Sequence, residues 1–303
     1  MRFVEYVHRL GHEDSLVTSS RNDAAAIRQF LSYPRSEKAD MDAWNRYLTI
    51  GKPMKAIQNA SPQSGTFPVV LLIHGSAAEF SLLGEYLASH GMVAVNVPYK
   101  GYLQAELDVN SVGMETEIRD YEYAINFLRK SLKYSATQVA ALGVSFGAQS
   151  AMGLAVRQKN IKGVISYDGG IGSQFGGQLL AASPFYRVEK INFPILHLYN
   201  AQDPETYLGW FDRYTHADRI LTGFNNTTHA YFHIYGQLIN GIPRLLGPSS
   251  PAANGHYEAL MAHTLTFLNE IFSGVGRGTG VTLLPKQQTW ITNIASTSIK
   301  KRS

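Results

Sequence analysis

The sequence predicts an α/β fold: a single domain with a mostly parallel sheet of about eight strands, flanked by helices. Two observations predict it. Short apolar runs rich in β-branched residues alternate along the chain with amphipathic stretches at helical spacing. The 303 residues are 45% hydrophobic and 17% charged, which is ample for a buried core and excludes a disordered or highly charged chain.

The predicted strands are continuous apolar runs, as expected for strands that are covered on both faces. They occupy residues 67–73, 92–97, 138–143, 163–167, 193–199 and 219–224. Helical spacing is found at residues 81–90, 116–130, 148–156 and 257–271. Strands that alternate with helices in this way favour parallel pairing through helical crossovers.

The two ends of the chain are less regular than its middle. Within residues 1–66, the segments 3–10 and 25–33 are predicted as antiparallel edge strands, and 39–48 as a short helix. Residues 275–303 are rich in Gly, Thr and Lys and are predicted as a C-terminal extension. The prediction is therefore one domain over residues 1–274, followed by that extension.

Composition and charge exclude several classes of function. The chain has no cysteine, which excludes a disulfide scaffold, a cysteine nucleophile and cysteine-ligated metals. Its formal net charge is only +4 and its basic residues are scattered, so nucleic-acid binding is not expected. No apolar stretch is long enough to span a membrane, and the first residues lack the apolar core of a signal peptide. A soluble protein is expected, and the low charge and 17 tyrosines favour an exported one; the oligomeric state is not indicated.

The segment Gly143-Val144-Ser145-Phe146-Gly147 matches the pattern G-x-S-x-G. A predicted strand precedes it and a helix rich in small residues follows, which is the setting of a nucleophilic serine in a strained strand-to-helix turn. The two glycines let the strand and the helix approach each other. The turn raises the serine hydroxyl above the sheet, beside the partial positive charge of a helix N-terminus.

A nucleophilic serine needs a base and an orienting carboxylate, which we expect in loops at the carboxyl ends of the strands. Asp203 follows the strand 193–199, and His229 follows the strand 219–224. The order Ser145, Asp203, His229 is nucleophile, acid, base along the chain. Asp168, in Tyr-Asp-Gly-Gly after the preceding strand, is a competing acid; Asp203 is preferred because it lies between a later strand and a helical segment.

Two backbone N–H groups must hold the negative oxygen that forms when serine attacks a carbonyl carbon. We assign them to Phe146, directly after the serine, and to Ser76 in the loop after the first parallel strand. Three aromatic residues, Phe175, Trp210 and Tyr231, are candidates for an apolar substrate pocket, although each also fits a plain core role. The segment 169–192 is short and glycine-rich, which predicts no large cap and an open, adaptable site.

The remaining histidines are assigned structural roles. His74 is expected to form hydrogen bonds in the oxyanion loop, and His197 to pack inside a strand. His256 and His263 are expected at the surface of the last helix. His233 follows His229 by four residues, but no Glu stands at the H-E-x-x-H position, so no metal site is expected.

The chain resembles a serine hydrolase of the α/β-hydrolase superfamily, and within it the dienelactone-hydrolase-like and platelet-activating-factor-acetylhydrolase-like esterases. The resemblance rests on the stretches LLIHGSAAEF, LASHGMVAVNVPYKG, GVSFGAQ, YNAQDP and NNTTHAYF, which occur in this order across residues 67–274. It implies the α/β-hydrolase fold without a large cap, and an enzyme that needs no metal or cofactor. Dienelactone hydrolases use a cysteine nucleophile, so their substrate is not expected for this cysteine-free chain.

The function implied is hydrolysis of a carboxylic ester, on a small molecule or a polymer, through an acyl-enzyme on Ser145. Two alternatives remain open at this point. One is a small peptidase or amidase of the same fold, which the lack of room for a propeller or cap disfavours. The other is a noncatalytic binding protein on a hydrolase fold.

Overall fold

The computed structural model describes residues 56–57, 60–61, 63, 65–75, 79–99, 107–131, 138–202, 208–225, 227–233, 255–273 and 294–300. These residues form a seven-stranded sheet with the strand order β2-β1-β3-β4-β5-β6-β7. Its strands are β1 (Val69–Ile73), β2 (Val93–Asn96), β3 (Val139–Val144), β4 (Ile161–Tyr167), β5 (Ile195–Asn200), β6 (Arg219–Phe224) and β7 (Ile294–Ile299). Strands β1 to β6 pair in parallel and coincide with the six predicted runs.

The seventh strand corrects the assignment of the chain's last residues. β7 pairs antiparallel with β6 and so joins the sheet as its edge, although these residues were predicted to belong to an extension. Its sequence, Ile-Ala-Ser-Thr-Ser-Ile, lacks the continuous apolar run that reveals a central strand. The N-terminal strands predicted at 3–10 and 25–33 and the helix at 39–48 lie outside the described residues.

Five α-helices are described: α1 (Ser81–Ser89), α2 (Ser111–Ser131), α3 (Gly147–Arg157), α4 (Gln174–Ala181) and α5 (His256–Ser273). Four of them were predicted, but α2 begins five residues earlier than expected. The side chain of Asn110 explains the difference, because its Oδ1 accepts the N–H groups of Val112 and Gly113, both at 2.9 Å. None of the described helices is both long and apolar enough to cross a membrane.

Helices cover both faces of the sheet, as its apolar strands predicted. Along β1, Val69, Leu71 and Ile73 belong to one buried cluster, and the alternate residues Val70 and Leu72 belong to the other. The first cluster includes apolar residues of α2, α3 and α4, and the second includes those of α1 and α5. Because both clusters are closed by helices, the C-terminal edge of the sheet is where loops can present functional side chains.

Helix α4 was not predicted, because its glycines were interpreted as signs of an adaptable segment. The structure corrects that interpretation. A Cβ on Gly177 would lie 2.0 Å from the Trp210 ring, and one on Gly176 would lie 2.0 Å from the carbonyl oxygen of Gly170. These glycines therefore serve close packing. The expectation of no large cap is confirmed for the described residues, which carry only α4 and two short 3₁₀ turns, Gly170–Gly172 and Val188–Lys190, between β4 and β5.

Candidate active site

Strained residues mark the C-terminal edge of the sheet. His74, Ser145 and Asp168 directly follow the adjacent strands β1, β3 and β4, with φ angles of 66°, 52° and 45°. They are the non-glycine residues with positive φ in the described part of the chain. A left-handed backbone costs such residues on the order of 1–2 kcal/mol each, and strain of this kind clusters at functional sites.

The turn at Ser145 has the geometry that its sequence predicts. A Cβ on Gly143 would lie 2.1 Å from the carbonyl oxygen of Gly147, and a Cβ on Gly147 would lie 2.3 Å from the Cβ of His74. Both distances are impossible for real side chains, so β3, α3 and the end of β1 can meet only with glycine at these positions. Ser145 is held at the top of β3, where its N–H donates to the carbonyl oxygen of Tyr167 at 2.9 Å.

Asp168 and His229 reach each other across this edge of the sheet. His229 begins a 3₁₀ turn (His229–Phe232) shortly after β6, and its Nδ1 lies 2.7 Å from Oδ2 of Asp168. Val144 and Tyr167 are paired residues of β3 and β4, so Ser145 and Asp168 occupy the next positions on neighbouring strands. Ser145, Asp168 and His229, far apart in sequence, therefore converge on one edge of the sheet.

The environment of Asp168 favours its ionised form. Burial alone would raise the pKa of this carboxyl, but its hydrogen bond to His229 and the charge of that imidazole outweigh burial and lower the pKa. The N–H of Asn200 adds a hydrogen bond to Oδ1 at 2.8 Å. An ionised carboxylate only accepts hydrogen bonds, so Nδ1 of His229 carries the proton and Nε2 keeps a lone pair.

The histidine is half exposed, whereas Asp168 is buried. Ser145 Oγ and the His229 ring share no direct hydrogen bond among the described residues. Catalytic hydrogen bonds commonly tighten only when substrate binds, so this geometry is compatible with a nucleophile and its base.

The carboxylate that meets His229 is not the one that the sequence ranked first. Asp168 occupies Nδ1 of the imidazole, and Asp203 lies outside the described residues. Both aspartates follow a parallel strand, and both stand between Ser145 and His229 in the chain. One signal distinguished Asp168: the glycine after it. A Cβ on Gly169 would lie 2.2 Å from the Cβ of Ala148 and 2.7 Å from the carbonyl oxygen of Ser145, so this turn lies directly against the nucleophile turn.

Of the two predicted oxyanion donors, Phe146 is described and Ser76 lies outside the described residues. The N–H of Phe146 donates to no described residue, and it begins the turn into α3. The start of the loop that leads to Ser76 is held by Asn96, whose Nδ2 donates to the carbonyl oxygens of Leu72 at 2.8 Å and Gly75 at 3.0 Å. A donor and a fixed loop base therefore lie at the same edge as Ser145.

The three aromatic pocket candidates lie in different environments. Trp210 is buried, with the guanidinium of Arg213 3.9 Å from its ring centre, and belongs to the larger core cluster. Tyr231 is also buried, with its ring centre 5.7 Å from that of His256. Phe175, at the start of α4, is 62% exposed. Burial of the first two favours the core role, whereas the exposed Phe175 stays a candidate for contact with a substrate.

The other histidines divide between confirmed and corrected expectations. His197 is a packed core residue, as predicted: its Nδ1 lies 2.9 Å from Ser166 Oγ, and burial lowers its pKa to about 4. His256 was expected at the surface and is instead buried among Phe224, Tyr231 and Phe232, which lowers its pKa to about 3. The described residues hold no group of three or more metal-ligating side chains.

Comparison with known proteins gives one partial family match and a similar fold. Residues 35–173, just under half of the chain, match the model of the chlorophyllase family; the match includes Ser145 and Asp168 and ends before His229. The fold is similar to that of a ferulic acid esterase from Streptomyces cinnamoneus, with a TM-score of 0.58 and 18% sequence identity over 79% of this chain and 76% of that one. No curated protein sequence matches the chain significantly.

The narrower resemblance to dienelactone-hydrolase-like and platelet-activating-factor-acetylhydrolase-like esterases stays a prediction, since the family model that matches is a different one. The parallel sheet with its antiparallel edge strand, the strained serine turn and the structural match agree on the fold. The chain has the α/β-hydrolase fold.

Proposed function

We propose that this protein is a serine esterase that hydrolyses carboxylic esters, with Ser145 as nucleophile, His229 as base and Asp168 as the orienting acid. The observation that carries the proposal is the 2.7 Å contact between Asp168 and His229 beside a serine with a φ angle of 52°. The comparisons support the same chemistry, because the neighbour of similar fold is by name an esterase. Asp168 replaces Asp203, the acid that the sequence favoured.

The first half of the reaction forms an acyl-enzyme. Nε2 of His229 takes the proton of the Ser145 hydroxyl as Oγ bonds to the ester carbonyl carbon. The carbonyl oxygen becomes an anion, which accepts hydrogen bonds from the N–H groups of Phe146 and Ser76. Each such donor typically contributes about 10²–10³ in rate. The tetrahedral species then collapses: the bond from carbon to the alkoxy oxygen breaks, and the imidazolium returns its proton to the departing alcohol.

The second half releases the acid. Water replaces the alcohol, gives a proton to His229 Nε2 and attacks the acyl carbon. A second oxyanion forms in the same position. Its collapse breaks the bond to Ser145 Oγ, which regains the proton from the imidazolium, and a carboxylic acid leaves. Throughout, Asp168 holds His229 in the tautomer with the proton on Nδ1 and stabilises the transient imidazolium. Its burial and lowered pKa suit this role, because an ionised carboxylate attracts the positive imidazolium.

The experiment compares the wild type with Ser145→Ala on matched p-nitrophenyl esters and p-nitroanilides of the same acyl groups. We expect ester hydrolysis by the wild type, little or no anilide hydrolysis, and a loss of about 10⁴-fold or more in kcat for the variant. Preferential anilide cleavage would favour a peptidase or amidase instead. A wild type that turns over neither substrate class, or a variant with undiminished activity, would contradict the proposal.

A further inference from the structure

A buried carboxylate lies on α2, close to His74 at the end of β1. Glu117 is only 3% exposed, and neither of its carboxylate oxygens has a hydrogen-bond partner among the described residues. A buried, unsatisfied carboxylate is unfavourable unless a partner of opposite charge or a hydrogen-bond donor accompanies it. Within the described part of the chain, the imidazole of His74 is such a group: its Nδ1 lies 3.6 Å from Oε1 and has no hydrogen-bond partner there either.

His74 connects this carboxylate to Phe146, one of the two predicted oxyanion donors. Its backbone, strained at a φ angle of 66°, directly precedes Gly75 and the loop of Ser76. Its ring meets that of Phe146 with centres 5.3 Å apart, and that of Tyr99 with centres 4.0 Å apart. A shift of this ring would therefore disturb Phe146, the residue predicted to supply one donor.

The other contacts at this turn are neutral and reach different atoms. Asn96 donates to the carbonyl oxygens of Leu72 and Gly75, and the hydroxyl of Tyr121 also donates to Leu72. These bonds hold the backbone on both sides of His74 and leave its imidazole to other contacts. Among the described residues, the carboxylate of Glu117 faces that imidazole.

We propose that Glu117 is a positioning residue of the oxyanion hole, which acts through His74 by holding the imidazole against Phe146 and the start of the loop. This inference rests on the proposed function. An oxyanion exists only in the tetrahedral species, so a less well positioned hole lowers kcat and weakens binding of tetrahedral analogues, while the KM of the ester changes little.

The test uses Glu117→Gln, with Glu122→Gln as the matched control. Glu122 lies on the same helix, is partly exposed, and pairs with Arg157 at 2.7 Å, away from His74. We expect E117Q to lose roughly ten- to a hundredfold in kcat, as when a residue that orients a catalytic group is removed. Its inhibition constant for phenylboronic acid, which forms a tetrahedral adduct on serine, should rise by a similar factor, while KM changes less than about twofold. E122Q should match the wild type in all three.

A double-variant cycle separates action through His74 from a general structural effect. His74→Asn keeps a residue type that tolerates positive φ but removes the imidazole. The double variant should be no less active than H74N alone, because Glu117 then has nothing to position. Additive losses, or an E117Q enzyme as active as E122Q, overturn the inference while leaving the esterase assignment intact.

Two further outcomes are also decisive. Should E117Q not fold, H74N carries the test, and an H74N enzyme with wild-type kcat and boronate affinity overturns the inference. A wild type that hydrolyses no ester overturns the proposed function and this inference with it.

Discussion

Replacing Asp168 by asparagine has an effect that can be worked out atom by atom. The N–H of Asn200 donates to Oδ1 at 2.8 Å, so the new amide keeps its oxygen there and turns its NH₂ group toward Nδ1 of His229. That NH₂ donates, and Nδ1 must then accept, which moves the imidazole proton to Nε2. The base can no longer take the proton of Ser145. The same error in the trypsin triad lowers kcat by about 10⁴, equivalent to roughly 5.5 kcal/mol of transition-state stabilisation.

The assay is steady-state hydrolysis of p-nitrophenyl butyrate by Asp168→Asn and Asp203→Asn, with S145A as the baseline. Both variants make the same carboxylate-to-amide change, one and three residues after the parallel strands β4 and β5. We expect D168N to lose about 10⁴-fold in kcat with its thermal unfolding little changed, and D203N to stay within about twofold of the wild type. Loss of activity in D203N, together with a D168N enzyme that remains active, would refute the reasoning and restore the acid that the sequence favoured.

Two further predictions concern stability. A Cβ on Gly147 would lie 2.4 Å from the carbonyl oxygen of Ile73, so Gly147→Ala should lower Tm by about 6 °C or more. A Cβ on Gly84 would meet, among the described residues, Ala94 at 3.8 Å, so Gly84→Ala should leave Tm unchanged or raise it. Equal Tm values for both variants would contradict the packing argument. Burial lowers the pKa of His256 to about 3 and that of His197 to about 4. Both imidazoles are neutral in the folded protein, whereas in the unfolded chain they take up a proton below a pKa of about 6.5. The stability that their burial contributes is therefore complete above about pH 6.5 and is lost progressively as pH falls below it. Between about pH 4 and pH 6, the free energy of unfolding in urea should therefore rise with pH. His256→Phe should reduce the slope of this rise by up to about 1.4 kcal/mol per pH unit, and identical slopes for the variant and the wild type would contradict the prediction.

The parallel strands and most helices could be predicted because burial on both faces leaves a strong local pattern. Strand β6 has the predicted bounds, and α3 and α5 differ by one or two residues at each end. Edges and caps depend on single contacts that periodicity does not report. The early start of α2 depends on the side chain of Asn110, and β7 has a strand neighbour on only one side and therefore no continuous apolar run.

The serine motif and the histidine of the candidate site could be predicted from the sequence, but the choice of acid could not. Gly143 and Gly147 indicate a strained turn at Ser145, because a side chain at either position would overlap neighbouring atoms. The choice between Asp168 and Asp203 depends on which carboxylate reaches His229, a three-dimensional distance that chain order cannot supply. The position of Glu117 in the sequence was a weak indication of its role. It lies three residues after Met114 and four before Tyr121, on the buried side of an amphipathic helix where a carboxylate is unexpected.

The most direct measurement of the central claim is covalent labelling with a fluorophosphonate probe, located by mass spectrometry of the digested protein. An activated serine beside a histidine base attacks the probe, whereas an ordinary surface serine does not. We expect one stoichiometric adduct on the peptide that contains Ser145, and strongly slowed labelling when His229 is replaced by alanine. An unlabelled wild type would contradict the claim that Ser145 is the nucleophile. An adduct on another residue, together with an S145A variant that retains its activity, would contradict it as well.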